Sequence, residues 1–449
     1  MPPKWRHCEK NFTRNRKLPL DKIITFVLSI ASSGKSKGVD AKSNEFFKNA
    51  MRSGLWPNAK APDRSAVTRA RKKVPWEIFE EIHHDAVNLA YEIWPKTPEY
   101  TWKGMSVFAI DGSKYDLPAT PKLREEFDPK SGLENKGKGH YPQCLVSTAY
   151  DVFRRIPIAR TVIGYDNCER TQAQLLIPHI PPDGLLIFDR GYPSFDMFDF
   201  LNKKYLGFYL FRSPASQTFG AVGRFIKSKK QEGIITLNPT NSFIDKDQEN
   251  RQERKNTTLT LRVIRLKSHD GKLSVILTNL MDMKKYSRKE IIALYFRRWE
   301  VESYYRDEKT FLNVETFHSK TSNGIRQELF AIIIMAVIAR ILMVLSMVTS
   351  AQTEISKEKK PPDTQKLLDT LPEPQFKNAV MTLAAEAAIL APHAPEDAVK
   401  IFKEVLLQIR RIKYYRPLRK RSSKTRITKG RISKWADRNA KKRRTLCAA

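Results

Sequence analysis

The chain is poor in cysteine, short of acidic residues relative to basic ones, and almost without long apolar runs. Its four cysteines, Cys8, Cys144, Cys168 and Cys447, stand far apart and form no CxxC pair. That excludes a disulfide-stapled scaffold and points to a reduced, cytoplasmic protein without structural zinc. The histidines offer no soft-metal cluster either: His83 and His84 are adjacent, so they cannot chelate from one helical face, and the other six are isolated. The opening residues, MPPKWRHCEKNF, lack the apolar stretch of a secretory leader, and none is expected. One segment, Leu329 to Val348, is as long as a membrane span. It carries Arg340, which at mid-bilayer costs about 2.5–3.5 kcal/mol, so it is read as a buried core helix and no membrane partner is expected.

What the chain has in quantity is positive charge. Lys and Arg number 81 against 48 Asp and Glu, a formal net charge of +33. Such an excess calls for a polyanionic partner, nucleic acid ahead of an anionic membrane surface. The 449 residues allow about two to four domains and a core that needs no staples. Residues 1–100 read as all-helical, with apolar periodicity through Leu20–Ile30, Glu45–Met51, Arg64–Val74 and Trp76–Trp94. Asp63 can cap the third of these helices, which bears Arg64, Arg69, Arg71, Lys72 and Lys73. The pattern fits a helix-turn-helix-like reader of DNA or, equally simply, a basic solvated face. At the other end, Arg410 to Ala449 holds seventeen Lys or Arg and one Asp, with Tyr414, Tyr415 and Trp435 among them. That segment is either a solvated tail or a nucleic-acid arm whose aromatics stack on bases. Before it, Ala351–Asp363 reads as a lysine-rich linker, and Phe376–Leu390 and Ala398–Ile412 as two helices about a HAPED turn.

The middle of the chain carries the chemistry. In SVFAIDGS, Val107–Ile110 is the uninterrupted apolar run of a strand covered on both faces, and Asp111 and Gly112 follow it. Gln143–Tyr150 and Ile156–Ile163 read as a hairpin joined by DVFRR, and Glu169–Leu176 as a helix. A second compact strand, Leu185–Phe188, ends in Asp189 and continues as Arg190, Gly191 and Tyr192. Gly233–Leu237, Leu259–Leu266 and Leu273–Thr278 read as further strands, Ile244–Asn256 as a mobile loop, and Asp116 and Asp128 as loop residues. Ser287 to Lys309 then reads as one amphipathic helix, opened by a capping box of Ser287 and Glu290. On an ideal helix Tyr295, Arg298, Glu302 and Lys309 fall within roughly 60° of one another, on the side of Ile291, Ile292 and Trp299. Arg298 and Glu302 are then either a surface ion pair or groups held in a partly dry site.

The spacing of Tyr295, Arg298, Glu302 and Lys309 resembles the YREK signature of the DDE transposases of bacterial insertion sequences, family 4. The DRGY that starts at Asp189 resembles the motif of that family's second catalytic aspartate. The resemblance covers about residues 60–325 and implies an α/β, ribonuclease-H-like catalytic domain over 101–350 with a β-rich insertion at about 213–285. A helical DNA-binding domain over 1–100 and a helical, basic region over 364–449 would flank it. The implied function is cut-and-paste transposition: a homodimer on DNA cleaves terminal inverted repeats and joins the ends to target DNA.

In that reading Asp111, Asp189 and Glu302 are the catalytic residues and hold two Mg2+ ions, or Mn2+, about 3.5–4 Å apart, which activate the attacking oxygen and neutralise the leaving one. Arg298, Lys309 and Tyr295 would bind DNA phosphates, with Arg190 and Tyr192 close to the second aspartate. Glu300 is set aside as the ligand because it points about 160° away from Glu302 on the helix. Relatives hold a flipped base with an aromatic of the insertion, which here has no Trp and leaves Phe219, Phe225 and Phe243. Two alternatives stay open: a ribonuclease-H-like nuclease that cuts without joining, and an inactive DNA-binding regulator.

Overall fold

The strands Val107–Ile110 and Leu185–Phe188 are buried throughout, and they form the centre of the molecule. The computed structural model of the protein describes residues 11–13, 18–32, 38–94, 97–129, 141–214, 219–267, 273–355, 372–391 and 395–413. Among these, eight strands make one sheet: β1 Val107–Asp116, β2 Gln143–Asp151, β3 Ile156–Gly164, β4 Leu185–Phe188, β5 Phe208–Pro214, β6 Glu232–Leu237, β7 Leu259–Lys267 and β8 Leu273–Thr278. Their order is β3-β2-β1-β4-β5-β8-β7-β6. The pairs β1–β4 and β4–β5 are parallel and the others antiparallel. Both faces of the parallel centre must be covered, which is why those strands read as continuous apolar runs.

Side chains on β1 and β4 divide by parity between two cores. Val107, Ala109, Leu185 and Ile187 join one apolar cluster, and Phe108, Ile110, Leu186 and Phe188 the other. The first cluster is roofed by the long helix α13, Ser322–Ile355, which packs against α1 Leu20–Ser32, α4 Glu77–Ile93, α14 Phe376–Ala385 and α15 Pro395–Arg411. By length and composition α13 would pass for a membrane span, but Leu329 to Val337 are almost wholly buried in the core. Arg340 on that helix pairs with Glu373 at 3.3 Å and lies over the Phe376 ring.

The described contacts gather Met1–Lys413 into one compact unit. Within it, α2 Val39–Arg52 and α3 Arg64–Arg71 sit beside α1, with Asp63 accepting from the Ala66 amide as the α3 cap. Arg71, expected on the basic face of that helix, points inward: it pairs with buried Glu328 at 2.9 Å and donates to Gln327 and to the Gly324 carbonyl. Arg64, Arg69, Lys72 and Lys73 remain exposed.

The three strands expected within the insertion are present and extend the main sheet, because β8 supplies the hydrogen bonds that the edge of β5 would otherwise lack. Four expectations need correction. The stretch expected as a loop folds into α9 Asn241–Ile244 and α10 Arg251–Asn256. Arg251–Asp245 and Arg254–Asp247 pairs tie those helices together, and Arg254 donates to the Phe243 carbonyl. The helix expected over Ser287–Lys309 is two: α11 Arg288–Tyr295 and α12 Trp299–Thr310 flank a tighter turn at Phe296–Arg298. Its capping box is present. Asp116 belongs to β1 rather than to a loop, and Ala351–Ile355 continues α13 rather than starting a linker. The basic segment from Tyr414 on, with Tyr415 and Trp435, lies outside the described residues.

Candidate active site

Asp111 and Asp189 extend the odd-numbered face of their strands, the face on which α12 lies. The last parallel pair is Ile110 with Phe188, so each aspartate is the next residue along, on strands whose usual separation is about 4.8 Å. Strand β1 runs on to Asp116, so Asp111 marks the point where its partner β4 stops, not the end of its own strand. Two contacts seat α12 against this point. Tyr305 donates to the Asp111 carbonyl at 2.8 Å, and Val301, Tyr304 and Tyr305 are buried in the same cluster as Val107 and Ala109.

The tight turn before α12 delivers Arg298 to the two aspartates' side of the sheet. Arg298 is 3 % exposed, with Nη2 2.6 Å from Glu302 and Nε 3.9 Å from Asp189. Its charge is also the largest favourable influence on Asp111, whose carboxyl is nonetheless pushed up to about 7. Burial is the main cause, and Glu302 and Glu169 add to it. The three expected carboxylates therefore share one neighbourhood, and a guanidinium is their present counter-cation. Among the described residues no three carboxylate, imidazole or thiol groups stand close enough to enclose an ion as they lie.

Polar atoms around this cation are left over. Among the described residues, Arg298 Nε and Nη1, the Tyr295 hydroxyl and the Tyr192 hydroxyl are buried without a hydrogen bond of good geometry, Tyr295 standing beside the guanidinium. Tyr295 and Tyr192, expected to face DNA, instead lie beneath the surface, the second packed on the Phe188 ring. Arg190 beside them is exposed. Lys309 goes elsewhere: two turns beyond Glu302, its ammonium lies over the Tyr115 ring, donates to the Lys114 carbonyl and stands 4.0 Å from Glu315. Of the stripe expected for all four residues, Tyr295, Arg298 and Glu302 stay together across the tight turn, and Lys309 is held apart by its own contacts. Of the insertion's phenylalanines, Phe225 and Phe243 are core residues and Phe219 packs on Phe198. Two exposed aromatics flank Arg298, Phe296 and Trp299, and the second, 52 % exposed, has the Arg298 guanidinium over its ring.

The donor set suits a hard divalent cation. Only carboxylate and hydroxyl oxygens converge, one carboxyl is costly to ionise where it lies, and a cation is already drawn in among them.

Sequence reasoning missed two more carboxylates. Glu169, first residue of α6 Glu169–Leu176, lies beside Gly112, close enough for its charge to raise the Asp111 carboxyl. Glu308, on α12, is wholly buried against Arg160 at 2.6 Å. Both partners are far off in sequence, so no local spacing could have signalled them. A separate concavity of about 720 Å³ lies between α4, β3 and α6, lined by Glu80, His84, Thr161 and His179 among others, and includes none of the acids of this site.

A family model described as a transposase DDE domain matches residues 102–338. The chain is similar to the transposase InsG of insertion sequence element IS4 from Escherichia coli K12, 24 % identical over 338 residues, which span 74 % of this chain and 71 % of InsG. It is also similar to the putative transposase InsZ of the same organism, 28 % identical over 142 residues, 31 % of this chain and 46 % of InsZ. Among solved structures, a piggyBac transposase synaptic complex with hairpin DNA aligns with 88 % of this chain and 78 % of its own at 9 % identity and a TM-score of 0.39.

Proposed function

The chain belongs to the family of transposases built on a DDE domain, hence to the enzymes of phosphoryl transfer, and we propose that it moves an insertion sequence by cutting its terminal inverted repeats and joining them to target DNA. The observation that carries this reading is the meeting of Asp111, Asp189 and Glu302 around Arg298 at the edge of neighbouring parallel strands. The strand order β3-β2-β1-β4-β5, with β1 and β4 parallel, supports a ribonuclease-H-like core. Asp111, Asp189 and Glu302 would be the catalytic residues and would hold two Mg2+ ions, or Mn2+. When bound, the ions supply Lewis acidity at the scissile phosphate.

The chain's own groups do the rest. Asp111, costly to ionise where it is buried, would be held ionised by a cation beside it, its proton passing to solvent. Arg298, released from Glu302, turns its fork to a phosphate, and the exposed Arg190 meets the backbone beside it. The buried hydroxyls of Tyr192 and Tyr295 donate inward, toward the reacting groups. Lys309 would have to leave the Lys114 carbonyl to reach DNA, and so is the most conditional of the expected contacts. Trp299 offers the stacking surface that the insertion's phenylalanines do not. The helices within 1–100 would bind the element's end through Arg64, Arg69, Lys72 and Lys73, the basic region within 364–449 would add non-specific grip, and two copies would assemble on paired ends.

The test is to incubate purified protein with DNA carrying the ends of its own element and Mg2+, beside the variant Glu302→Gln. Metal-dependent cleavage and strand joining, lost in the variant, is the expected result. Equal cleavage by the variant removes Glu302 from the mechanism. End binding without any cleavage leaves a regulator, and cleavage without joining leaves a nuclease.

A further inference from the structure

We infer that Glu169 is a fourth carboxylate of this site, a ligand for a divalent ion on the Asp111 side that approaches from the other face of the sheet. The inference rests on the reading that Asp111, Asp189 and Glu302 hold metal. Its structural basis is Gly112. Residue 112 shares the parity of Phe108 and Ile110, so its missing side chain would point to the face opposite α12. That is where α6 lies, with Ala173 and Leu176 in the same cluster as Phe108 and Ile110. A Cβ at 112 would stand 3.0 Å from Glu169 Cδ and 3.1 Å from Oε1. The glycine after the first aspartate therefore leaves the gap in which the Glu169 carboxylate lies against β1 at the point where β4 stops, and from there its charge acts on Asp111. The neighbouring Arg170 fixes the approach by donating from Nε to the Gly191 carbonyl at 3.2 Å, so the start of α6 is tied to the turn that carries Asp189.

A second, independent observation points to a ligand here. Tyr192 is 1 % exposed and its hydroxyl has no partner among the described residues, and the charges it feels most strongly are those of Asp111 and Glu169. A buried hydroxyl among carboxylates is satisfied when something between them, an ion's water or a phosphate oxygen, accepts or donates. Glu169, unlike Asp189 and Glu302, has no arginine or lysine at ion-pair distance among the described residues.

An acid in the first turn of a helix also favours the helix dipole, and that role alone would need neither Gly112 nor the orphan hydroxyl. The experiment separates the two. Free Mn2+ is followed by its paramagnetic resonance during titration into the full-length protein, with Glu169→Gln, Gly112→Ala and Asp111→Asn run alongside, and each variant's melting temperature is recorded. The expected result is that Glu169→Gln loses one of two bound ions or weakens binding by about tenfold. Gly112→Ala should do the same by displacing the carboxylate, with little change in melting temperature. If Glu169→Gln and Gly112→Ala bind Mn2+ as the wild type does while Asp111→Asn does not, Glu169 is a helix-end acid and the proposal is overturned with the triad intact. If Asp111→Asn also binds normally, the metal reading itself fails and takes Glu169 with it. Should Glu169→Gln not fold, Gly112→Ala decides.

Discussion

Two glutamates on one helix, Glu302 and Glu308, carry the same charge and have opposite surroundings. Glu308 is sealed: its carboxylate takes Arg160 Nη2 at 2.6 Å and the Tyr115 hydroxyl, and Arg160 spends its other donors on Thr148 and the Leu329 carbonyl. Glu302 is half-exposed, and its partner Arg298 keeps two nitrogens without acceptors. A polar group buried for structure has its bonds completed within the chain, whereas a group kept for chemistry is left with bonds to offer. On α12 the first kind locks β1, β2 and β3 under the helix and so sets where the second kind stands.

Breaking each pair should separate these roles. The largest effect expected is on activity: Glu302→Gln abolishes Mg2+-dependent end cleavage and leaves the melting temperature unchanged or raised, since it relieves carboxylate crowding beside Asp111. Arg160→Met should do the reverse. It strands a wholly buried Glu308 and costs about 3–5 kcal/mol in denaturant titration, and joining it to Glu308→Leu should recover most of that loss. If the double variant is no more stable than the single one, the pair is not coupled and the comparison fails. Next in size is the same contrast on α3. Arg71→Ala, which uncovers buried Glu328, should destabilise by at least about 2 kcal/mol, whereas Arg69→Ala leaves stability within about 0.5 kcal/mol and weakens DNA binding with a smaller salt slope.

A subtler effect concerns pH. Burial holds the Asp111 carboxyl at about 7 in the folded protein, above its ordinary value of 3.8. A raised carboxyl favours the folded state while protonated, so without divalent ions its contribution is complete below about pH 4 and lost as pH climbs through about 7. Asp111→Asn should flatten that part of the melting-temperature profile, and Mg2+ should stabilise the wild type more at pH 8 than at pH 5. An identical profile in the variant would mean that Asp111 is ionised throughout, as a sealed and fully paired carboxylate would be.

Much of this was legible in the residues, for reasons that differ by element. Leu185–Phe188 and Val107–Ile110 announce themselves because a strand covered on both faces has no polar position to hide it. The capping box at Ser287 and Glu290 is local and was readable as such. The tight turn at Phe296–Arg298 was not, since no Pro or Gly marks it, and the burial of Arg298 beside Asp189 is a contact distant in sequence. Ile244–Asn256 reads as a loop because its charges are dense, yet those charges pair and hold two short helices. Glu169 is 58 residues from Asp111 and Arg160 is 148 from Glu308, so both belong to the kind of contact that only the fold reveals.

The smallest change is the sharpest test of the distinction between completed and offered bonds. Tyr192→Phe removes one oxygen and keeps the ring on Phe188. If that hydroxyl is unpartnered in the resting protein, its loss relieves a buried polar group and should leave stability unchanged or raise it by up to about 1 kcal/mol. If the hydroxyl finds its partner only when ions and DNA are bound, cleavage should still fall several-fold, with end binding unaltered. Loss of stability of about 1–3 kcal/mol with unchanged cleavage would place Tyr192 instead with Arg160 and Glu308, among the groups whose bonds are complete before any substrate arrives.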